Sequence, residues 1–303
     1  MAEDHSTSHI IQSLMVNLII AAAKGVAALL SGSGSMLAET LHSFADCGNQ
    51  LLLLLGVKKS RHAPTAAHPL GYGRALYFWS FMVALLLFTG GGVFSIYESI
   101  HKLGHPEPVG DMRLALAILG FSLVLEGWAT LKNVQELNKR RKGRPFFRFL
   151  SDSKDSDLVV VFGENAAAVL GLGIALLAIT LAALTGDGSW DAIGSLFIGV
   201  VLIGVALFLA IEVKSLIIGE AADPEIAEAV TTTAAEDPRL TRVLHMITIQ
   251  QGPAEVLLIM KASFAPGLSV EDVARAINDF EDRLRGRCPE VRWSFIEPDV
   301  PRS

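Results

Sequence analysis

Two ionisable side chains, His42 and Asp46, stand four residues apart in a stretch that otherwise reads as a membrane-spanning helix. It runs Ser35-Met36-Leu37-Ala38-Glu39-Thr40-Leu41-His42-Ser43-Phe44-Ala45-Asp46-Cys47-Gly48-Asn49-Gln50 and continues into Leu51–Leu55. Spacing i, i+4 puts both side chains on one helical face, stacked about 6 Å apart. An aspartate in hydrocarbon costs several kcal/mol, so ionisable groups at such depth point first to function. Imidazole plus carboxylate is half of a tetrahedral site for zinc or a similar divalent ion. Hydrogen bonds to neighbouring helices are the alternative use of the pair.

The surrounding chain must supply a membrane scaffold. It has 303 residues, of which 51% are hydrophobic and 18% charged, with a mean hydropathy of +0.46. The apolar residues come in blocks long enough to span a bilayer. Six such runs are expected as spans: Ile10–Leu30, Met36–Val57, Ala75–Ile96, Met112–Val134, Leu158–Leu184 and Ala192–Val213. Glycine-bearing turns at Ser31-Gly32-Ser33-Gly34 and Thr185-Gly186-Asp187-Gly188 suit tight connections. The polar opening Met1–Ser8 lacks a basic region ahead of the first run, so no cleaved signal peptide is expected. Cys47 and Cys288 imply no disulfide framework, and the net charge of −6 argues against nucleic acid as a partner.

Basic residues set the expected orientation. Lys58, Lys59, Arg61 and Arg74 follow the second run, and Lys132, Lys139, Arg140, Arg141, Lys142, Arg144, Arg148 and Lys154 follow the fourth. The opposite loops offer only Lys102 and, at a span edge, Arg113. By the positive-inside rule both termini are cytoplasmic, and the chain is an integral protein of a cell or inner membrane. Residues 1–218 form the expected transmembrane domain.

Residues 219–303 have the texture of a soluble domain. Asp223-Pro224-Glu225 opens a helix. Val243–Gln250 alternates like a strand, and Gln251-Gly252-Pro253-Ala254 turns it into a second, Glu255–Phe264. Ser269 and Asp272 cap a helix through Leu284, with Val273, Ile277, Phe280 and Leu284 at helical spacing. Val291–Ile296 is the last strand. The expected fold is therefore a six-span α-helical membrane protein with a small cytoplasmic α+β tail of ferredoxin-like αββαβ order.

Other polar groups lie within the runs. Asn49 falls on the Asp46 face at i+3, and Asn17 sits mid-run in the first span; both suit supporting a metal ligand from behind or bonding between helices better than metal ligation itself. Cys47 reads as a small packed residue. Lys24 and Glu126 are intramembrane charges whose depths, counted from the run ends, leave them unpaired; Glu126 suits either a proton path or an interhelical hydrogen bond. Asp191 opens the sixth run, where a carboxylate stabilises a helix N-terminus.

The six runs, the intramembrane His42-x-x-x-Asp46 and the αββαβ tail together resemble the cation diffusion facilitator family. His68-Pro69-Leu70-Gly71-Tyr72-Gly73-Arg74 and Asp191-Ala192-Ile193-Gly194-Ser195-Leu196-Phe197-Ile198-Gly199 resemble that family's third-span loop and sixth span. Glu39 through Gln50, with Glu164-Asn165-Ala166-Ala167-Ala168-Val169-Leu170-Gly171, is most similar to the branch named for zinc transporter nine. The resemblance implies a homodimeric secondary transporter that moves a divalent metal out of the cytoplasm, commonly against protons. It also implies a second ligand pair on the fifth span, at positions corresponding to Val161 and Asn165. Here Glu164 is the only acid there, and Asn165 stands where the branch has an aspartate.

The candidate metal ligands are thus His42, Asp46, Glu164 and Asn165. Glu164 and Asn165 are adjacent, hence about 100° apart on a helix, and cannot both point squarely at the second span. Glutamate offers reach and charge, whereas a carboxamide oxygen binds a hard ion without neutralising it. His62 and His68 lie in the cytoplasmic loop where the family sometimes builds an accessory site, with Tyr72 standing in place of a further histidine. The tail, with His245 and Cys288 alone, has too few ligands for a binuclear cluster and is expected to dimerise the chain.

Function then divides two ways. The first is a proton-coupled exporter of Zn²⁺, with Mn²⁺, Fe²⁺ and Co²⁺ as chemically acceptable cargo. No phosphate-binding loop of the Gly-x-x-x-x-Gly-Lys-Ser/Thr kind suggests ATP hydrolysis. Protons are the natural counter-ion because imidazole changes charge near neutral pH and releases metal on gaining a proton. The second is a metal sensor or scaffold on the same fold that does not transport. No nucleophile–base constellation suggests an enzyme, and no resident cofactor is implied.

Overall fold

The computed structural model describes residues 2–60, 62–104, 112–141, 143–152 and 156–301. Arg61, Lys142 and Lys154, which enter the charge asymmetry above, lie outside the described residues. Two compact units emerge. One holds residues 1–56, 78–151 and 157–213, and the other holds residues 57–77, 152–156 and 214–303.

The first unit is helical. Its elements are α1 (Ala2–Ser31), α2 (Gly34–Ser60), α3 (Ala75–Leu86), a π-helical segment Leu87–Val93, α4 (Phe94–Gly104), α5 (Met112–Arg140), the short α6 (Phe146–Asp152), α7 (Ser156–Thr185) and α8 (Ser189–Ile218). Among the described residues, four helices are long and apolar enough to cross a membrane: Ala75–Gly104, Met112–Arg140, Val159–Thr185 and Ser189–Ile218. The second expected span forms a helix of suitable length without that apolarity, because α2 carries Glu39, His42, Asp46, Lys58 and Lys59. Of the first, the described apolar stretch is Asn17–Ser31. Large apolar side chains stay on the outside, Phe121, Val124, Trp128 and Leu131 of α5 among them. Such an exterior requires an apolar solvent, so the chain is an integral membrane protein.

Two features escaped the sequence reading. The third span is interrupted by the π segment, in which Thr89-Gly90-Gly91-Gly92 lacks bulk to hold the helical register. Its Gly92 packs against α8: a Cβ there would come within 3.3 Å of the Gly199 carbonyl, and one on Gly199 within 3.0 Å of the Gly92 carbonyl. Two facing glycines let the backbones approach as small residues do in membrane bundles. The second is α6, formed inside what reads as a basic loop.

The second unit contains α9 (Pro224–Ala235), β1 (Leu240–Gly252), β2 (Glu255–Phe264), α10 (Val270–Arg287) and β3 (Val291–Pro298). This is the expected αββαβ order. Strand order is β1-β2-β3, with β1 and β2 antiparallel and β2 and β3 parallel across α10. Central β2 alternates: Val256, Leu258, Met260 and Ala262 are fully buried, as period 2 demands when one face meets helices. On that face Phe280 and Leu284 of α10 close the core. Asp223 caps α9 through the Glu225 amide, and Ser269 with Asp272 forms a capping box on α10. Asp237 takes a bidentate pair from Arg239 and a third bond from Arg283. Hydrogen bonding from Arg239, above all, holds its carboxyl far below the usual carboxylate range.

Candidate metal site and its flanking charges

The start of α2 is fixed before the site begins. Ser31-Gly32-Ser33 turns the chain, and Asp191 of α8 accepts from Ser33 Oγ at 2.6 Å, the Gly34 amide at 2.5 Å and the Ser35 amide at 3.2 Å. Asp191 stands in the first turn of its own helix, as expected; it also caps α2. Free amides at a helix start attract a carboxylate whichever element carries it. Lys102 Nζ donates to the Gly32 carbonyl at 2.5 Å and completes the clasp.

Along α2, residues 39, 42, 46 and 49 repeat at helical spacing and share one face. His42 is 1% exposed, and its Nδ1 lies 3.6 Å from Asp46 Oδ1, whose side chain is 22% exposed. That separation is an ion-pair distance and too long for a hydrogen bond. Both ring nitrogens of His42 are buried without a hydrogen-bond partner, as are both amide atoms of Asn49. Unpaired buried polar atoms each cost about 1–3 kcal/mol, and four on one helical face mark a place where something else binds. Asn49, expected to support a ligand or to pair between helices, has no hydrogen-bond partner on its side chain. Cys47 is buried and free, as a packed residue should be.

On α7, Glu164 and Asn165 are half-buried. The Asn165 carbonyl accepts from Thr130 Oγ1 of α5 at 3.4 Å, which sets this turn of α7 against α5. Among the described residues, no group of three or more His, Cys, Asp and Glu side chains gathers at metal-binding spacing. His42 and Asp46 are brought together as a pair; a complete four-ligand cage with α7 is not assembled in this conformation. In the second unit, His68 stacks on Tyr72 with ring centroids 4.4 Å apart, and His62 meets the same ring edge-on at 5.9 Å.

The depth argument that kept Lys24 and Glu126 apart fails. Lys24 Nζ is 3.2 Å from Glu126 Oε1, 3.3 Å from Glu39 Oε2 and 2.8 Å from Ser43 Oγ. Depths had been counted from the ends of apolar runs, yet α1 and α5 both extend beyond those runs, and a four-carbon stem reaches across the remaining offset. Glu39 was missed as an individual residue. Its place at i−3 from His42 on the same face was the available signal.

A family model described as the cation efflux transmembrane domain matches residues 10–218. The chain belongs to the cation efflux family. Within it, this cation efflux protein is 35% identical over 243 residues to the proton-coupled zinc antiporter SLC30A9, mitochondrial, of Xenopus laevis, covering 80% of this chain and 44% of that protein. The human protein of the same name is 36% identical over 224 residues, 73% of this chain and 39% of that protein. The zinc transporter ZitB of Escherichia coli (strain K12) is 25% identical over 264 residues, 86% of this chain and 78% of that protein. This cation efflux protein therefore sits in the branch resembling zinc transporter nine, and it spans less than half the length of the antiporters it matches there. The family is one of cation efflux proteins rather than of enzymes.

Proposed function

We propose that the protein is a secondary transporter that exports Zn²⁺ from the cytoplasm in exchange for protons. The observation that carries this reading is His42: an imidazole buried within a membrane helix, beside Asp46, with both nitrogens unpartnered. A neutral imidazole in that state accepts a metal ion and surrenders it on protonation. The names of the relatives, a proton-coupled zinc antiporter and a zinc transporter, support the same cargo and counter-ion. Mn²⁺, Fe²⁺ and Co²⁺ remain compatible with the ligand types.

In this reading six helices span the membrane, residues 1–218 carry transport, and both termini face the cytoplasm. Asp46 and Glu164 supply the two formal charges that neutralise the dication, with His42 and Asn165 as neutral donors. Residues 219–303 dimerise the chain through the sheet face that α9 and α10 leave open. On that face Ile247, Ile259 and Phe295 lie in register across the three strands and are 42%, 38% and 58% exposed. A row of this kind, uncovered, invites a second copy.

A second reading, a metal sensor or scaffold that does not transport, is favoured by Asn165, which removes a charge from the fifth-span position. Proteoliposome flux separates the two. The transporter loads Zn²⁺ against an imposed proton gradient and loses this on His42→Ala. A scaffold binds Zn²⁺ yet shows no flux in either form, and that outcome would reject the transport reading.

A further inference from the structure

The group around Lys24 carries more negative charge than the lysine can cancel. One ammonium faces two carboxylates, Glu39 and Glu126, plus the Ser43 hydroxyl. Lys24 and Glu39 are fully buried, and the Glu126 side chain is 25% exposed. Lys24 spends its three donors on three partners and is satisfied. Glu39 is not: its Oε1 is buried and has no hydrogen-bond partner. That oxygen lies against Gly171 of α7, where a Cβ would collide with it, so a bulkier residue at 171 would deny Glu39 its position. A buried carboxylate left half-paired beside a second carboxylate is a cation site short of one positive charge.

We propose that Glu39, Ser43 and Glu126 form a second cation station, one helical turn along α2 from His42, which the tethered ammonium of Lys24 occupies when no metal is present. Three oxygens accept from the ammonium at 2.8–3.3 Å. Donors that hold an ammonium this way can draw in around a dication once it swings aside. The donor set is all oxygen, two of it anionic, so the station takes a hard divalent ion. Its preference for Zn²⁺ over Mn²⁺ should be much narrower than that of a site built on imidazole, so Mn²⁺ reports on it selectively. Lys24 then acts as a competitor: a dication must expel it, and its return helps expel the dication. The role of the station in a transport route rests on the transport reading; its existence as a binding site does not.

The test is equilibrium binding of Mn²⁺ and Zn²⁺ to the purified full chain in detergent, in a His42→Ala background so that the first site is silent. Lys24→Gln, or Lys24→Met where a similar volume is needed for folding, should add one Mn²⁺ per chain and tighten Mn²⁺ binding at least tenfold. Adding Glu39→Gln should remove that ion. A monodisperse Lys24 variant with no added Mn²⁺, or with an added ion that survives Glu39→Gln, overturns the proposal. Should neither Lys24 variant fold, the His42→Ala chain with Lys24 intact decides: saturating Mn²⁺ should raise its melting temperature, and Glu39→Gln should abolish the rise. No rise there overturns the proposal as well. Because His42 is absent throughout, failure of this station and failure of the His42 transport site are read separately.

Discussion

Asp191, in the first turn of α8, accepts a 2.5 Å hydrogen bond from the amide of Gly34, the first residue of α2, 157 positions earlier in the chain. The same carboxylate takes Ser33 Oγ and the Ser35 amide, so one side chain fixes the end of the helix that bears His42 and Asp46. Asp191→Ala should cost about 1–3 kcal/mol, the range for losing charge-assisted bonds to a helix start. It should also weaken Zn²⁺ binding, because the first turn of α2 lies two turns from His42. Thermal unfolding and zinc titration of the variant check both effects. An unchanged melting temperature would mean that water replaces the cap without loss.

The tail makes a prediction in pH. Asp237 has its carboxyl held below the usual range by Arg239 and, after burial is offset, by Arg283. Its unfolded value is the ordinary one near 3.9. A depressed folded value means that stability is fully present above about pH 5 and is lost as pH falls through and below that unfolded value. Asp237→Asn should therefore lower the melting temperature at pH 7 and narrow the gap to wild type as pH drops towards 3. Melts of both full chains across this range check it. A gap that stays constant with pH would show that the carboxylate's charge is not what Asp237 contributes.

How much of this was legible beforehand varies with the range of the interaction. Caps at Asp223 and Ser269, the turn at 251–254 and the two strands it joins are local, and the sequence announced each. The pair His42–Asp46 was legible for the same reason, since i, i+4 is fixed by helical geometry. Lys24 with Glu126 and Asp191 with Gly34 were not, because each joins helices whose relative packing no local pattern encodes. The π segment was missed because Gly90-Gly91-Gly92 permits several backbone registers and only packing on α8 selects one. The apolar pattern likewise placed α2 as a span, although its charged residues keep it below the apolarity of the four long apolar helices.

The β1–β2 hairpin offers a stability test. Ala254 sits in its two-residue loop with φ of +53°, the one described non-glycine residue at positive φ. With Pro253 before it, this is the position where such a turn prefers glycine. An L-residue there costs about 1–2 kcal/mol, against which glycine loses about 0.5–1 kcal/mol of chain entropy. Ala254→Gly should thus stabilise the tail by roughly 0.5–1 kcal/mol. Chemical denaturation, followed by the fluorescence of Trp293 on β3, reads it. A destabilised variant would show that Ala254 makes contacts worth more than its backbone strain.

The charge on α7 decides how the first site grips its ion. In the proposed site Asp46 and Glu164 neutralise a dication with two formal charges; an aspartate at 165 would add a third. Asn165→Asp should tighten Zn²⁺ binding by about 1–3 kcal/mol if the new carboxylate reaches the ion in a partly solvated cavity. Turnover need not follow, since an ion held more tightly leaves more slowly, and flux should fall while affinity rises. Glu164→Gln should act in the opposite sense and more severely, because Asp46 would be left as the one charge facing the metal. The contact of this turn with Thr130 on α5 runs through the Asn165 main-chain carbonyl, which either side-chain substitution leaves in place. Val161→His adds a check on register: it should improve binding only if position 161 faces His42 and Asp46. Calorimetric titration of these variants with Zn²⁺, set beside their proteoliposome flux, separates grip from release. If Glu164→Gln kept full affinity while Asn165→Ala abolished it, the principal α7 ligand would be Asn165, and the site would hold its ion with a single carboxylate.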